Sequence, residues 1–171
     1  MNMEQQSGGI TLNVDRLNTD TAVVQMAGYL DTYNSMGVQN QVNQIIRGGV
    51  NNLVFDLKKL TYISSTGIVV FTNTLKQVRK TGGNIILSEM ASRVSDVLQL
   101  LGFSTFFTTT ETLEEAMAYL PSVPKIDIPF SELEALTTSF REIEVFVEPE
   151  KQPEFYTTLL KILKQVEEIK Q

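Results

Sequence analysis

Apolar and polar positions change period several times along this chain, and each change marks an element. From Ile10 to Leu17 the apolar residues Ile10, Leu12 and Val14 alternate with polar ones, the two-residue period of a half-buried strand. Ala22 to Ala27 is a second β-rich run, and the polar Asn18-Thr19-Asp20-Thr21 between the two predicts a hairpin. Tyr33 to Arg47 carries Met36, Val38, Val42, Ile45 and Ile46 near helical spacing and stops at Gly48-Gly49, which predicts one amphipathic helix. Leu53, Val54, Phe55 and Leu57 form a nearly continuous apolar run, the pattern of a strand covered on both faces. A second helix is predicted over about Ser65 to Lys80, ending in Arg79-Lys80 before the Gly82-Gly83 break. Ile85 to Leu87 reads as another buried strand, and Ala91 to Leu101 as a helix with Val94, Val97, Leu98 and Leu101 inward, stopped by Gly102. Phe106-Phe107 reads as a short last strand before a helix over Leu113 to Leu120.

Strands alternating with helices of these lengths specify an α/β sandwich: a mixed, mostly parallel sheet with about four helices and one antiparallel part from the hairpin. That domain is expected to span residues 1–120. Pro121, Pro124 and Pro129 mark a linker over 121–130, because proline breaks helices and restrains the residue before it. Residues 131–171 then read as a mostly helical extension. Ser131 to Glu134 has capping-box spacing, Leu133, Leu136 and Phe140 share a helical face, and Ile143, Val145 and Val147 alternate as in an extended piece. After Pro153, the residues Phe155, Leu159, Ile162, Leu163, Val166 and Ile169 fall on one helical stripe. Such a stripe needs cover, from the first domain, from a second copy in a homodimer, or from a partner helix.

Composition narrows the function. With 42% hydrophobic residues in 171, the chain can build a core of ordinary size and reads as soluble and globular. A formal net charge of -6 offers no footprint for phosphate backbones, so nucleic acid is not an expected partner. The chain has no His and no Cys, which removes imidazole bases, thiol nucleophiles, disulfides and the commonest zinc ligands. No catalytic residue, metal or cofactor is therefore expected, and a serine hydrolase of the usual triad type is excluded. The start, MNMEQQSGGI, lacks a basic region and an apolar core, and no apolar run approaches the roughly 20 residues that span a bilayer. A cytoplasmic protein with no membrane insertion is expected.

What chemistry remains gathers between Leu53 and Phe71, where Ser64, Ser65, Thr66 and Gly67 open a helix behind a buried strand. A serine there can cap the helix by accepting from a free N–H of the first turn. That is the default reading; the sharper one is a phosphorylation switch, since a phosphate adds roughly -1.5 to -2 charge and the helix N-terminus tolerates an anion. Asp31 has two readings of the same kind, cap of the helix beginning near Tyr33 or contact for a partner. Met90, Val94 and Leu98 at helical spacing read as core before contact surface. The pairs Gly8-Gly9, Gly48-Gly49 and Gly82-Gly83 lack the spacing of a nucleotide loop and read as turns and helix stops.

From about Ile10 to Leu120 the chain resembles the STAS domain of bacterial anti-sigma factor antagonists. The resemblance is carried by Gly28-Tyr29-Leu30-Asp31 as a turn after the second strand, Leu53 to Leu57, Tyr62 to Gly67, Arg79 to Asn84, and Val97 to Phe103. It implies that Ser65 is the residue phosphorylated by a partner anti-sigma factor with serine kinase activity, and that a serine phosphatase resets it. It also implies a partner-binding edge made by Asp31, Ser64, Ser65, Thr66 and Gly67, joined by Ser88 and Met90 of the Ser88-Glu89-Met90 loop. The family's usual Asp-Ser-Ser-Gly is departed from at two places: Ser64 stands where Asp is common, and Thr66 replaces the second serine. Ser64 and Thr66 are the alternative acceptors. The missing Asp leaves a second implied role, a STAS adaptor or scaffold in a signalling or transporter-associated complex that does not switch.

Overall fold

A computed structural model describes residues 3–7, by their backbone, and residues 9–120. The hairpin forms where the alternation places it: β2 (Ile10–Arg16) pairs antiparallel with β3 (Thr21–Leu30). Asn18 closes the turn, its Oδ1 accepting from the N–H groups of Asp20 and Thr21 at 3.0 and 2.9 Å. The polar run Met3–Ser7, which has no apolar period, forms a further strand, β1, antiparallel on the outside of β2. It is an edge strand, and an edge tolerates polar residues because one side meets water.

Three parallel pairings build the rest of the sheet. β4 (Asn52–Ile63) lies beside β3, β5 (Asn84–Ser88) beside β4, and β6 (Thr108–Thr110) beside β5, in the order β1-β2-β3-β4-β5-β6. Helices α1 (Ser35–Arg47), α2 (Ser65–Lys80), α3 (Ser92–Leu100) and α4 (Leu113–Tyr119) complete the expected α/β architecture. Successive residues of β4 face opposite ways. Leu53 and Phe55 join a core with Val38 and Val42 of α1, Phe71 and Leu75 of α2, and Val94 and Leu98 of α3. Val54 joins Val23, Ile86 and Ala116 in a smaller cluster beneath α4. The continuous apolar run of β4 is thus explained by helices on both faces. Arg16 ties the two ends of this half together, donating to the carbonyls of Asn18 and Thr19 in the hairpin turn and of Gly48 at the end of α1. A cation at a helix C-terminus is favoured by the helix dipole.

Four expectations change. The strand expected to end at Leu57 runs on to Ile63, because Lys58 and Lys59 are exposed while Leu60 and Ile63 return to the core. Gly28, Tyr29 and Leu30, expected as a turn, belong to β3, which follows β4 through two register shifts. Phe106 and Phe107 are not a strand; both pack in the core after a 3-10 turn at Phe103–Thr105, and Thr108–Thr110 pairs instead. Consecutive residues of a strand face opposite ways, so burying both rings in one core requires irregular backbone. Met36, counted on the inner face of its helix, is 74% exposed. The expected linker at 121–130 and extension at 131–171 lie outside the described residues.

The ring of Phe71 meets those of Phe55 and Phe107 edge-on, with centroids 5.0 and 6.5 Å away. Phe71→Ala is expected to lower stability by about 3–5 kcal/mol, seen as a shifted urea midpoint with an unchanged slope.

Candidate functional site

β3 and β4 end side by side, Leu30 opposite Ile63, and the N–H of Ser64 donates to the Leu30 carbonyl at 2.9 Å. Their loops therefore leave the sheet together. On the β3 side, Asp31 and Asn34 hold a reciprocal turn. Asp31 Oδ1 accepts from the N–H groups of Tyr33 and Asn34 at 2.9 and 3.0 Å, while Asn34 Oδ1 accepts from the Asp31 N–H at 3.0 Å. The Asn34 amide also donates to the Tyr29 carbonyl at 2.9 Å. Asp31 thus organises the entry to α1, and it keeps enough exposure to meet a partner.

On the β4 side, Ser64 is extended at the N-cap of α2, and its Oγ accepts from the Gly67 N–H at 3.2 Å. Ser64 Oγ lies 2.8 Å from Thr66 Oγ1, which donates to Thr32 Oγ1 at 3.2 Å. With Thr66 donating onward, Ser64 supplies the proton of the first link, and the hydroxyls relay from the helix cap to the β3–α1 turn. Gly67 permits the approach: a Cβ there would lie 2.8 Å from the side chains of Ile63 and Leu30 and 2.9 Å from the Leu30 carbonyl.

The hydroxyls differ in access. Ser64 and Ser65 are fully buried, Thr66 is half-buried and Thr32 is exposed. The four N–H groups at the start of α2 make this end of the helix electropositive, so the site suits a negative group. The chain has no imidazole or thiol, so the side chains that could act on a hydroxyl here are carboxylates and amines. Among the described residues no cluster of three carboxylates could hold a metal ion.

Of the residues expected at one edge, the fold brings together Asp31, Ser64, Ser65, Thr66 and Gly67, and leaves Ser88 and Met90 apart. Ser88 pairs in register with Asp56, eight residues before Ser64 on β4, and the stretch from Asp56 to Ile63 runs beside Gln25 to Leu30 of β3, roughly 17 Å of strand. Ser88 is buried and accepts from Thr110 Oγ1 at 3.0 Å, and Met90 packs against the core. That loop is tethered lower on the sheet, where Glu89 meets Lys58 at 3.3 Å.

Four residues of this edge escape a reading by sequence. Thr32 and Asn34 carry hydrogen bonds that only the meeting of two loops creates. Tyr33 and Met36 are 77% and 74% exposed, the largest such exposures among the described large apolar side chains; Tyr33 stands on the turn that Thr32 ties to α2, and Met36 in the first turn of α1 just after it. Periodicity assigned Met36 to the core, and no other signal in the sequence marks it as surface.

The profile of the STAS domain matches residues 13–116, and the chain belongs to that family. The anti-sigma-B factor antagonist of Bacillus subtilis is 30% identical over 94 residues, 54% of this chain and 85% of that protein. The structure of the anti-sigma factor antagonist SpoIIAA in its unphosphorylated form superposes with a TM-score of 0.57 at 19% identity, covering 67% of this chain and 99% of that one. The phosphorylated form of SpoIIAA from Bacillus superposes with a TM-score of 0.51, also at 19% identity, over 63% and 96%. At that identity the two structures establish the shared fold. No helix among the described residues is long and apolar enough to cross a membrane.

Removing the cap while leaving the fold intact isolates what Ser64 contributes. Ser64→Ala is expected to lower stability by about 1 kcal/mol in urea denaturation, and Ser64→Thr to recover most of it.

Proposed function

We propose that this protein is an anti-sigma factor antagonist that works by partner switching. Unphosphorylated, it captures an anti-sigma factor with serine kinase activity and so frees that kinase's client. A phosphate in the first turn of α2 opposes capture, and a serine phosphatase restores it. The observation that carries this reading is the hydroxyl-rich start of α2, held by the Ser64–Leu30 bond beside an exposed turn within a STAS fold. The names of the relatives agree with it.

The physical logic is local. A phosphate of roughly -1.5 to -2 charge sits well at a helix N-terminus, so the fold survives while the charge of the docking surface changes. Ser65 is the acceptor by its place in the family motif. It is fully buried, so in-line transfer requires the kinase to lift the first turn of α2 or the β3–α1 turn. Thr66 is the more accessible alternative, and the Ser64 hydroxyl is engaged as the cap. Incubation with the cognate kinase and ATP is expected to place phosphate within Ser64 to Thr66, with incorporation lost in Ser65→Ala. Phosphate mapped to any other residue overturns the switch.

The burial of Ser65 and the replacement of the usual Asp by Ser64 favour one rival, a STAS adaptor whose binding ignores modification. Affinity for the kinase separates the two. Ser65→Asp is expected to weaken capture at least tenfold, about 1.4 kcal/mol, whereas unchanged affinity assigns the chain to the adaptor class.

A further inference from the structure

We propose that residues 155–169 of this chain dock into an apolar groove beside the C-terminal half of α1, so that the C-terminal extension folds back onto the STAS domain. The groove, of about 530 Å³, lies between α1 and the β2–β3 hairpin. Leu12, Ala22 and Val50 form its floor, and the half-buried Val14 and Ile45 stand at its mouth. It opens there because β1 and β2 continue the sheet past the edge that α1 covers.

Three observations name the occupant. The chain leaves the described fold at Leu120, in a cleft with Leu17, Asn18 and Met117. Asn18 also lines the groove, so exit and groove lie on either side of one hairpin turn, with Leu17 and Met117 exposed at 39% and 38% along the way. The second observation is Gln41, which lines the groove and whose Oε1 is shielded from water without a hydrogen-bond partner among the described residues. A shielded acceptor of that kind is satisfied by an ordered water or by a donor from outside those residues. The third is dimension. Residues 155–169 would form a helix of roughly 22 Å, against about 20 Å for α1, which forms the groove wall along its second half. Residues 121–154 are ample to reach it from Leu120, since an extended residue spans up to about 3.3 Å. The charges beside the stripe, Lys161, Lys164, Glu167 and Glu168, balance, which suits a groove whose charged lining, among the described residues, is Arg16 alone.

The absence of cysteine makes a clean test. In the full chain, Gln44→Cys is combined in turn with Lys161→Cys, Lys164→Cys, Gln165→Cys and Glu168→Cys, and each pair is oxidised mildly. Docking predicts a disulfide within one chain for at least one pair, seen as a monomer of altered mobility at a yield independent of protein concentration. Disulfide-linked dimers alone would assign the groove to a second copy, and no disulfide from any pair would leave it to another partner; either result overturns the proposal. A second readout uses Ile162→Asp, a substitution outside the described residues. It is expected to speed hydrogen exchange severalfold at the amides of Gln41 to Arg47, and unchanged exchange there also counts against docking.

Discussion

The hydrogen bond from the Ser64 N–H to the Leu30 carbonyl is the point on which the site depends. It is the last link of a parallel pairing that runs from Thr21 and Asn52 to Leu30 and Ile63. Without it, the turn after β3 and the start of α2 would be separate loops on one sheet edge. With it, Thr66 reaches Thr32, Gly67 packs on the Leu30 carbonyl, and Tyr33 and Met36 stand beside the helix N-terminus. The pairing lasts that long because Leu60 and Ile63 remain anchored in the core after β5 has ended opposite Asp56.

Ser64 shows how a departure from the family motif is absorbed. A carboxylate at an N-cap brings both a hydrogen-bond acceptor and a charge that favours the helix dipole. The Ser64 hydroxyl keeps the acceptor function toward Gly67 and adds a donor, which it directs to Thr66. The helix start is therefore capped without the negative charge that a carboxylate would bring. Ser64 and Ser65 are both buried, so Thr66 is the most accessible hydroxyl of the helix start.

Much of this arrangement is legible in the sequence because burial repeats with a period. The alternation at Ile10, Leu12 and Val14, the run at Leu53 to Phe55 and the spacing of Val94, Val97 and Leu98 each point to the surface they meet. Glycine stops and the hydroxyl cap locate the ends of α1 and α2 to within a few residues. Where periodicity fails, a neighbour out of view decides. Lys58 and Lys59 interrupt the apolar run of β4, yet β3 beside them keeps the strand going. The polar β1 has no burial to advertise and exists because β2 offers an open edge. Met36 keeps the helical period but lies at the rim, where no described element packs over it.

The chain by itself determined the α/β class, the family resemblance, the absence of histidine and cysteine and the cluster of hydroxyls at a helix start, since each follows from residue identity and local spacing. Tertiary structure alone decided which of the expected edge residues meet. Asp31 and Ser64 to Gly67 converge because β3 and β4 end in register, whereas Ser88 stays with Asp56 because β5 is short. Strand length and register are set by long-range hydrogen bonds and by which side chains find cover across the sheet. Those terms depend on partners tens of residues away, and local pattern carries little record of them.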